Sequence, residues 1–288
     1  MSKPVSSKAL CHTLCQALLP TIQCAHECQA IVQRLLAHYF QVTNVQLLLD
    51  VPIAISASQQ QLLDQAIQRL CRHEPLQYII GLAPFLGRDF LVNPTVLIPR
   101  PETEVMVQHI LDENRQKGLQ VLDLCTGSGC IAITLQQELH QAVVCALDVD
   151  AAALRTAQQN AQKWEATVQF YQADLLQEPL PGQRWDLIVS NPPYVRLAES
   201  AQMQRCVLDY EPRQAIFVPD ERPLLFYERI AALAQQHLMP GGRLYLEINE
   251  AFGTEVAQLL TKVGLEAVRT LPDLHGKDRW VQGEMPSN

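Results

Sequence analysis

From Lys8 to His73 apolar residues recur at helical spacing, with Leu10, Leu14 and Leu18 forming one stripe and Ile31, Val32, Leu35 and Leu36 another. Pro20 and Pro52 are expected to interrupt this run. Ser58 with Gln61 three residues on reads as a capping box opening a helix whose apolar face carries Leu62, Leu63, Ala66, Ile67 and Leu70, and Glu74-Pro75 closes it. Between Gly81 and Pro101, glycines and prolines punctuate short apolar runs, Phe90-Leu91-Val92 and Val96-Leu97-Ile98, as in a hairpin linker. Pro101 followed by Glu102 and Glu104 reads as the first turn of a helix.

Beyond Gln120 the period alternates between that of strands and that of helices. Strands are expected over Val121–Cys125, Val143–Leu147, Val168–Gln172, Trp185–Val189 and Gly242–Ile248. Helices are expected from about Gly129, over Ala151–Lys163 and Leu224–Leu238, and from near Gly253, while Val268 and Arg279-Trp280-Val281 suit a final strand pair. The pattern is that of an α/β fold: an open, mostly parallel sheet with a C-terminal antiparallel pair, preceded by a small all-helical domain. The expected boundaries are 1–80 for the helical domain, 81–99 for the linker and 100–288 for the α/β domain.

Composition narrows the class. The chain has 288 residues, 48% hydrophobic and 18% charged, enough for one large domain and one small one. No apolar run approaches the roughly 20 residues needed to cross a bilayer, and no signal-peptide segment develops after the N-terminal lysines, so a cytoplasmic protein is expected, with no membrane partner. A formal net charge of −8 disfavours tight binding to a phosphate backbone, so no direct nucleic-acid contact is expected. Nine cysteines, an odd number spread over the chain, suit reduced thiols. Cys11, Cys15, Cys24 and Cys28 near His12 and His26 can be drawn as a zinc site, but their spacing of four is also one helical turn, and small buried hydrophobes in a Leu- and Ala-rich helix explain them without a metal.

Candidate chemistry collects at the ends of the expected strands. Cys125-Thr126-Gly127-Ser128-Gly129, with Ala132 beyond it, is a strand-turn-helix loop in which glycines permit a sharp turn and close ligand approach. Asp148 ends the next strand, where a carboxylate can accept both hydroxyls of a ribose. Asp174 follows the third strand and suits either the amine of an adenine, with Leu175 covering the ring, or a helix N-cap. No Walker A lysine occurs in the turn, which argues against ATP phosphate chemistry. Ser190-Asn191-Pro192-Pro193-Tyr194 follows a buried strand. The prolines restrict Asn191, leaving a rigid clamp that offers a planar NH2 group the Asn191 side-chain oxygen and the Pro192 carbonyl, under the Tyr194 ring. Arg100 and Glu102 either border a substrate pocket or form a surface ion pair.

With these motifs in hand, the chain resembles the class I methyltransferases that use S-adenosylmethionine. More closely it resembles the release-factor glutamine methyltransferases, the HemK or PrmC family. The resemblance covers nearly the whole chain: Glu74-Pro75-Leu76-Gln77-Tyr78-Ile79-Ile80-Gly81, Leu97-Ile98-Pro99-Arg100-Pro101-Glu102-Thr103-Glu104, the glycine loop, Asn191-Pro192-Pro193-Tyr194, Glu211-Pro212, and Asp273-Leu274-x-Gly276-x-x-Arg279. It implies a Rossmann-like catalytic sheet and a helical domain that helps hold the substrate protein. It further implies S-adenosylmethionine as methyl donor, leaving S-adenosylhomocysteine, and as acceptor the glutamine of the Gly-Gly-Gln loop of class 1 peptide chain release factors; a monomer is expected, though no sequence feature sets the oligomeric state.

By position the resemblance makes Cys125, Thr126, Gly127, Ser128, Gly129, Asp148, Leu175 and Asn191 cofactor contacts, and Asp174 joins them as the carboxylate after the third strand. Asn191, Pro192, Pro193 and Tyr194 become the catalytic and substrate clamp, and no metal is implied; Arg100 and Glu102 are candidates for its border on the residue reading alone. The same clamp occurs in amino-methylating enzymes that act on adenine and in those that modify a ribosomal-protein glutamine, and a binding module without transferase activity is a further alternative. The chain departs from the family pattern at several points. Cys125 stands where many members have a glycine and is expected not to need a positive φ; Leu175 replaces an aromatic of some members. Glu221-Arg222-Pro223-Leu224 and Glu247-Ile248-Asn249-Glu250 replace the usual Gly-Leu and Glu-Ile-Gly.

Overall fold

A computed structural model describes residues 4–179, 184–273 and 275–287. Its contacts separate two compact units, one of residues up to Gly81 together with Gln204–Tyr210, the other of Leu82–Met203 and the residues from Glu211 onward.

The first unit is helical. A two-residue strand pair, β1 (Pro4–Val5) and β2 (Ile53–Ala54), accompanies α1 (Ser7–Ile22), α2 (Ala25–Phe40), α3 (Asn44–Leu48), α4 (Ala57–Leu70) and α5 (Leu76–Ile80). The apolar stripes meet in one core that includes Leu10, Leu14, Leu18, Cys28, Val32, Leu35, Leu36 and Leu63. Two local expectations are corrected. Pro20 does not end α1, which runs on to Ile22, because a proline near a helix end removes a single hydrogen bond. The capping box of α4 is Ser56 with Gln59, two residues before the expected pair; the Ser56 hydroxyl accepts from Gln59 N and the Gln59 side chain accepts from Ser56 N. Cys28 is buried in the core, Cys11 and Cys15 are half-buried, and burial with Cys11 beside it pushes the Cys15 thiol up to about 11. Among the described residues no group of His, Cys, Asp or Glu could hold a metal ion, and no helix is long and apolar enough to cross a membrane.

The second unit opens with an antiparallel hairpin, β3 (Leu82–Phe85) and β4 (Arg88–Leu91). The apolar run Val96–Ile98 that was expected to share in it is not a strand; it is a buried irregular segment leading into α6 (Pro101–Glu113), with Pro101 in the first turn. Then follow β5 (Gln120–Leu124), α7 (Cys130–Glu138), β6 (Val143–Asp148), α8 (Ala151–Lys163), β7 (Val168–Gln172), β8 (Trp185–Ser190) and β9 (Val195–Arg196). The short helix α9 (Arg205–Tyr210) groups with the first unit rather than with the sheet around it in sequence, unlike the boundary expected above; its Tyr210 hydroxyl donates to the Arg72 carbonyl at 2.9 Å. The chain closes with β10 (Phe217–Val218), α10 (Leu225–His237), β11 (Leu238–Glu247), α11 (Gly253–Lys262), β12 (Glu266–Pro272) and β13 (Asp278–Glu284).

Seven strands form one sheet in the order β12-β13-β11-β8-β5-β6-β7. β11, β8, β5, β6 and β7 are parallel, while β13 is antiparallel to both β11 and β12. Alternation along β5 sends Val121 to the cluster packed by α6 and α7, and Leu122 and Leu124 to the cluster packed by α10 and α11. From β5 the chain steps outward to β6 and β7, then returns to the other side of β5 as β8. The order therefore reverses between β5 and β8, and a crevice opens at the carboxyl ends of those two strands.

Candidate active site

The glycine loop closes the β5 end of that crevice, and a buried carboxylate builds it. Asp123, fully buried on β5, accepts from the Thr126 hydroxyl at 2.6 Å and from Ala132 N at 3.2 Å, fastening both ends of the turn. Its other oxygen is buried with no partner among the described residues, and burial pushes the carboxyl up to about 7. Asp148, at the end of β6, accepts from Gly127 N at 2.9 Å and Asp150 N at 3.0 Å, so the loop and the next strand end are locked together. Burial holds its carboxyl above the usual range, opposed by those N–H donors.

Cys125 corrects an expectation. It adopts φ 61°, the left-handed region that costs a side chain roughly 1–2 kcal/mol, so here a cysteine occupies a conformation suited to glycine. Gly129, at φ 79°, begins α7; a Cβ there would lie 3.1 Å from Ala157 Cβ and Ile133 Cδ1, so it permits α7 to pack against α8 rather than facing the crevice. Asn160 on α8, buried and absent from the sequence reading, donates to the Ser128 carbonyl at 2.9 Å and exchanges bonds with Leu91 N and O, tying the glycine loop to the β3–β4 hairpin. No local signal distinguishes it from the other polar residues of α8.

The crevice has a volume of about 250 Å3. Of the residues singled out from sequence it brings together Arg100, Cys125, Thr126, Gly127, Ser128, Asp148, Asp174, Leu175, Asn191 and Pro193 in its lining. Glu102, Gly129, Pro192 and Tyr194 lie outside it. Asp174 makes an Asx turn, accepting from Leu176 N at 2.9 Å and from the Gln177 side chain, so it caps a turn and not a helix while still lining the crevice; buried Leu175 lies beside it. Thr103, Gln214 and Phe226 also line the crevice, and Phe226 supplies an aromatic that Leu175 does not. The charged lining consists of three carboxylates, Asp148, Asp150 and Asp174, and one guanidinium, Arg100. Arg100 pairs at 2.6 Å with Glu211, not with Glu102, and buried Glu211 also accepts from Ile98 N. A crevice so charged favours a cation and repels phosphate.

The β8 end carries the Asn191-Pro192-Pro193-Tyr194 turn. Asn191 lines the crevice, and its Nδ2 donates to Thr103 Oγ1 at 3.2 Å. Thr103 Oγ1 donates to Glu247 Oε2 at 2.6 Å, and the Tyr194 hydroxyl donates to Glu247 Oε1 at 3.0 Å. Tyr194 thus packs against the core cluster of α10 and α11 with its hydroxyl on Glu247, whereas sequence places its ring over the reacting group. Burial raises the Glu247 carboxyl above its ordinary value, opposed by the two hydroxyl donors and by Arg279 nearby. Asn249, where the family usually has glycine, accepts from Ala251 N, donates to the Tyr194 carbonyl at 3.3 Å and reaches the Glu199 carboxylate, pinning the chain beyond the clamp.

Comparison with known proteins agrees with this architecture. Residues 101–208 match the model of the methyltransferase small domain, and residues 23–81 that of the PrmC N-terminal domain. The fold is shared with a T. thermophilus 16S rRNA methyltransferase solved in complex with AdoMet and guanosine, at 20% identity and a TM-score of 0.52, over 71% of this chain and 49% of that one. That likeness shows the fold, a Rossmann-like sheet. The release factor glutamine methyltransferase of Bacteroides thetaiotaomicron is 46% identical over 79% of this chain and 82% of its own length. That of Flavobacterium psychrophilum is 40% identical over 89% of this chain and 91% of its own. The chain belongs to the release factor glutamine methyltransferase family.

Proposed function

We propose that this protein transfers a methyl group from S-adenosylmethionine to the side-chain amide nitrogen of the glutamine in the Gly-Gly-Gln motif of peptide chain release factors. The observation that carries the reading is Asn191. Its NH2 end is held by Thr103, and its Oδ1 accepts no hydrogen bond from any described residue at the wall of a crevice rich in carboxylates. An amide NH2 is the complement of that oxygen.

The residues of the crevice suit the methyl donor. Ser128 Oγ is buried and without a partner among the described residues, space is open around Gly127 where a side chain would stand, and Asp148 keeps lone pairs toward the crevice for ribose hydroxyls. Leu175 and Phe226 offer apolar faces for an adenine, and the excess of carboxylates favours a sulfonium and an ammonium. When bound, the cofactor supplies an electrophilic methyl group. A carboxamide nitrogen is a weak nucleophile, so the protein's contribution is alignment. Asn191 Oδ1, at the crevice wall, would accept an N–H of the glutamine, orient its amide, and stabilise positive charge as it grows on nitrogen. The clamp motif itself carries no His and no carboxylate, and the proton would leave to water after transfer.

The test is incubation of the protein with labelled S-adenosylmethionine and purified release factor, beside a Gly-Gly-Gln to Gly-Gly-Ala control, and location of the label by mass spectrometry. Label on the motif glutamine, absent from the control, is the expected result. Label on adenine of RNA or DNA, or on a ribosomal protein instead, would replace this reading with one of its alternatives.

A further inference from the structure

An asparagine side chain that serves as a clamp has two nearly isosteric ends, and only one is useful. With Oδ1 toward the crevice it accepts N–H groups; turned by 180° it presents its own NH2 and repels them. Backbone rigidity from Pro192 and Pro193 restricts where the amide sits but not which end points inward. Something else must break the near-symmetry.

Thr103 is in a position to do so. Its hydroxyl has one hydrogen, which it donates to Glu247 Oε2 at 2.6 Å; against the burial that raises this carboxyl, the Thr103 and Tyr194 hydroxyls and Arg279 nearby favour the charged form, which can only accept. Thr103 Oγ1 is left as an acceptor toward Asn191, 3.2 Å away, so the end of the amide that faces it must be the NH2. Oδ1 is then forced toward the crevice. Glu247 is 1% exposed, and its second oxygen is occupied by the Tyr194 hydroxyl at 3.0 Å, so the carboxylate has no freedom to turn away. The three residues come from the first turn of α6, the end of β8 and the end of β11, and Thr103 lies 88 and 144 residues from its two partners.

We propose that Glu247, acting through Thr103, fixes the polarity of the Asn191 carboxamide and thereby makes the site an acceptor for a substrate NH2 group; both are positioning residues. This inference rests on the proposed function. It assigns the Thr103 hydroxyl a task distinct from lining the crevice, and it gives a reason for a buried carboxylate where an apolar side chain would be cheaper.

The test compares Thr103→Val, Thr103→Ser and Glu247→Gln with the full-length wild type, using single-turnover methylation of release factor, and calorimetry for the affinity of S-adenosylmethionine. Thr103→Val is expected to lower the transfer rate about tenfold, the effect of losing one orienting hydrogen bond, with cofactor affinity unchanged within about twofold. Thr103→Ser should recover the rate to within about twofold. Glu247→Gln, whose NH2 can reverse the donor order, should be at least as slow as Thr103→Val. In an Asn191→Ala background Thr103→Val should have no further effect, since the hydroxyl acts only through that amide.

A Thr103→Val rate equal to wild type, or a tenfold loss that persists in the Asn191→Ala background, would overturn the inference while leaving the proposed function intact. If Thr103→Val fails to fold, Glu247→Gln alone and in the Asn191→Ala background decides by the same two criteria. Absence of label on release factor with the wild type would overturn the proposed function, and this inference with it.

Discussion

Replacing Asp123 by asparagine isolates the electrostatic cost of building the glycine loop. In an unfolded chain this carboxyl ionises near 3.8; in the folded protein burial delays ionisation to about 7. Between those limits the folded state keeps a proton that the unfolded state has released. The contribution of Asp123 to stability is therefore complete below the lower limit and is lost as pH rises through the upper one. At about 1.36 kcal/mol per pH unit, the part of that window between pH 5 and pH 7 amounts to about 2–3 kcal/mol. An asparagine in its place does not titrate. The carboxamide carbonyl can still accept from Thr126 and Ala132, and the NH2 would stand where the carboxylate already has an unpartnered oxygen, a cost of about 1–3 kcal/mol that does not change with pH.

Measured by urea denaturation, Asp123→Asn should accordingly gain about 2–3 kcal/mol relative to wild type between pH 5 and pH 8. All three tryptophans, Trp164, Trp185 and Trp280, lie in the sheet-bearing unit, so their fluorescence reports that unit without interference from the helical one. Buried Glu247 also makes the wild type pH-sensitive and the comparison cancels it, whereas the charge of half-buried Asp148 acts on Asp123 itself and is part of the measured difference. A difference between the two proteins that stays constant from pH 5 to pH 8 would refute the reasoning, because it would mean that Asp123 ionises alike in both states.

Three other perturbations probe the site. Asn191→Ala should keep the fold and, at saturating cofactor, lose on the order of a hundredfold in methylation rate, so near-normal turnover would contradict the clamp. Tyr194→Phe should keep the rate within about fivefold and lose about 1–3 kcal/mol of stability in denaturant titration, because Glu247 forfeits a buried donor while the ring still packs; a hundredfold loss of rate at unchanged stability would show instead that the phenol acts on substrate. Cys125→Gly should be neutral to about 1 kcal/mol stabilising, with relief of the left-handed strain set against the freedom glycine adds to the unfolded chain, and Cys125→Val, measured the same way, should cost more than about 1 kcal/mol.

Sequence alone determined the elements whose cause is local. Period-2 and period-3.6 patterns located the strands and helices of the sheet to within a few residues, Ala151–Lys163 and Val168–Gln172 among them, since each buries one face that its own spacing defines. The glycine loop and the Asn-Pro-Pro-Tyr turn were legible as backbone features for the same reason: a small-residue turn after a strand and two prolines after another constrain the backbone by themselves. Only the tertiary structure decided what those motifs touch. Glu247 behind Thr103, Glu211 beneath Arg100, Asn160 under Ser128 and Phe226 at the crevice wall are brought together across dozens to more than a hundred residues; Glu247 and Glu211 stand in motifs, but nothing local names their partners, and nothing local marks Asn160 or Phe226. The direction of Tyr194 and the strained φ of Cys125 were decided in the same way. A side chain's partner and a residue's backbone well are chosen by the packing of distant elements, and a buried carboxylate such as Glu247 draws in every donor within reach because leaving it unpaired would cost more than bending an aromatic toward it.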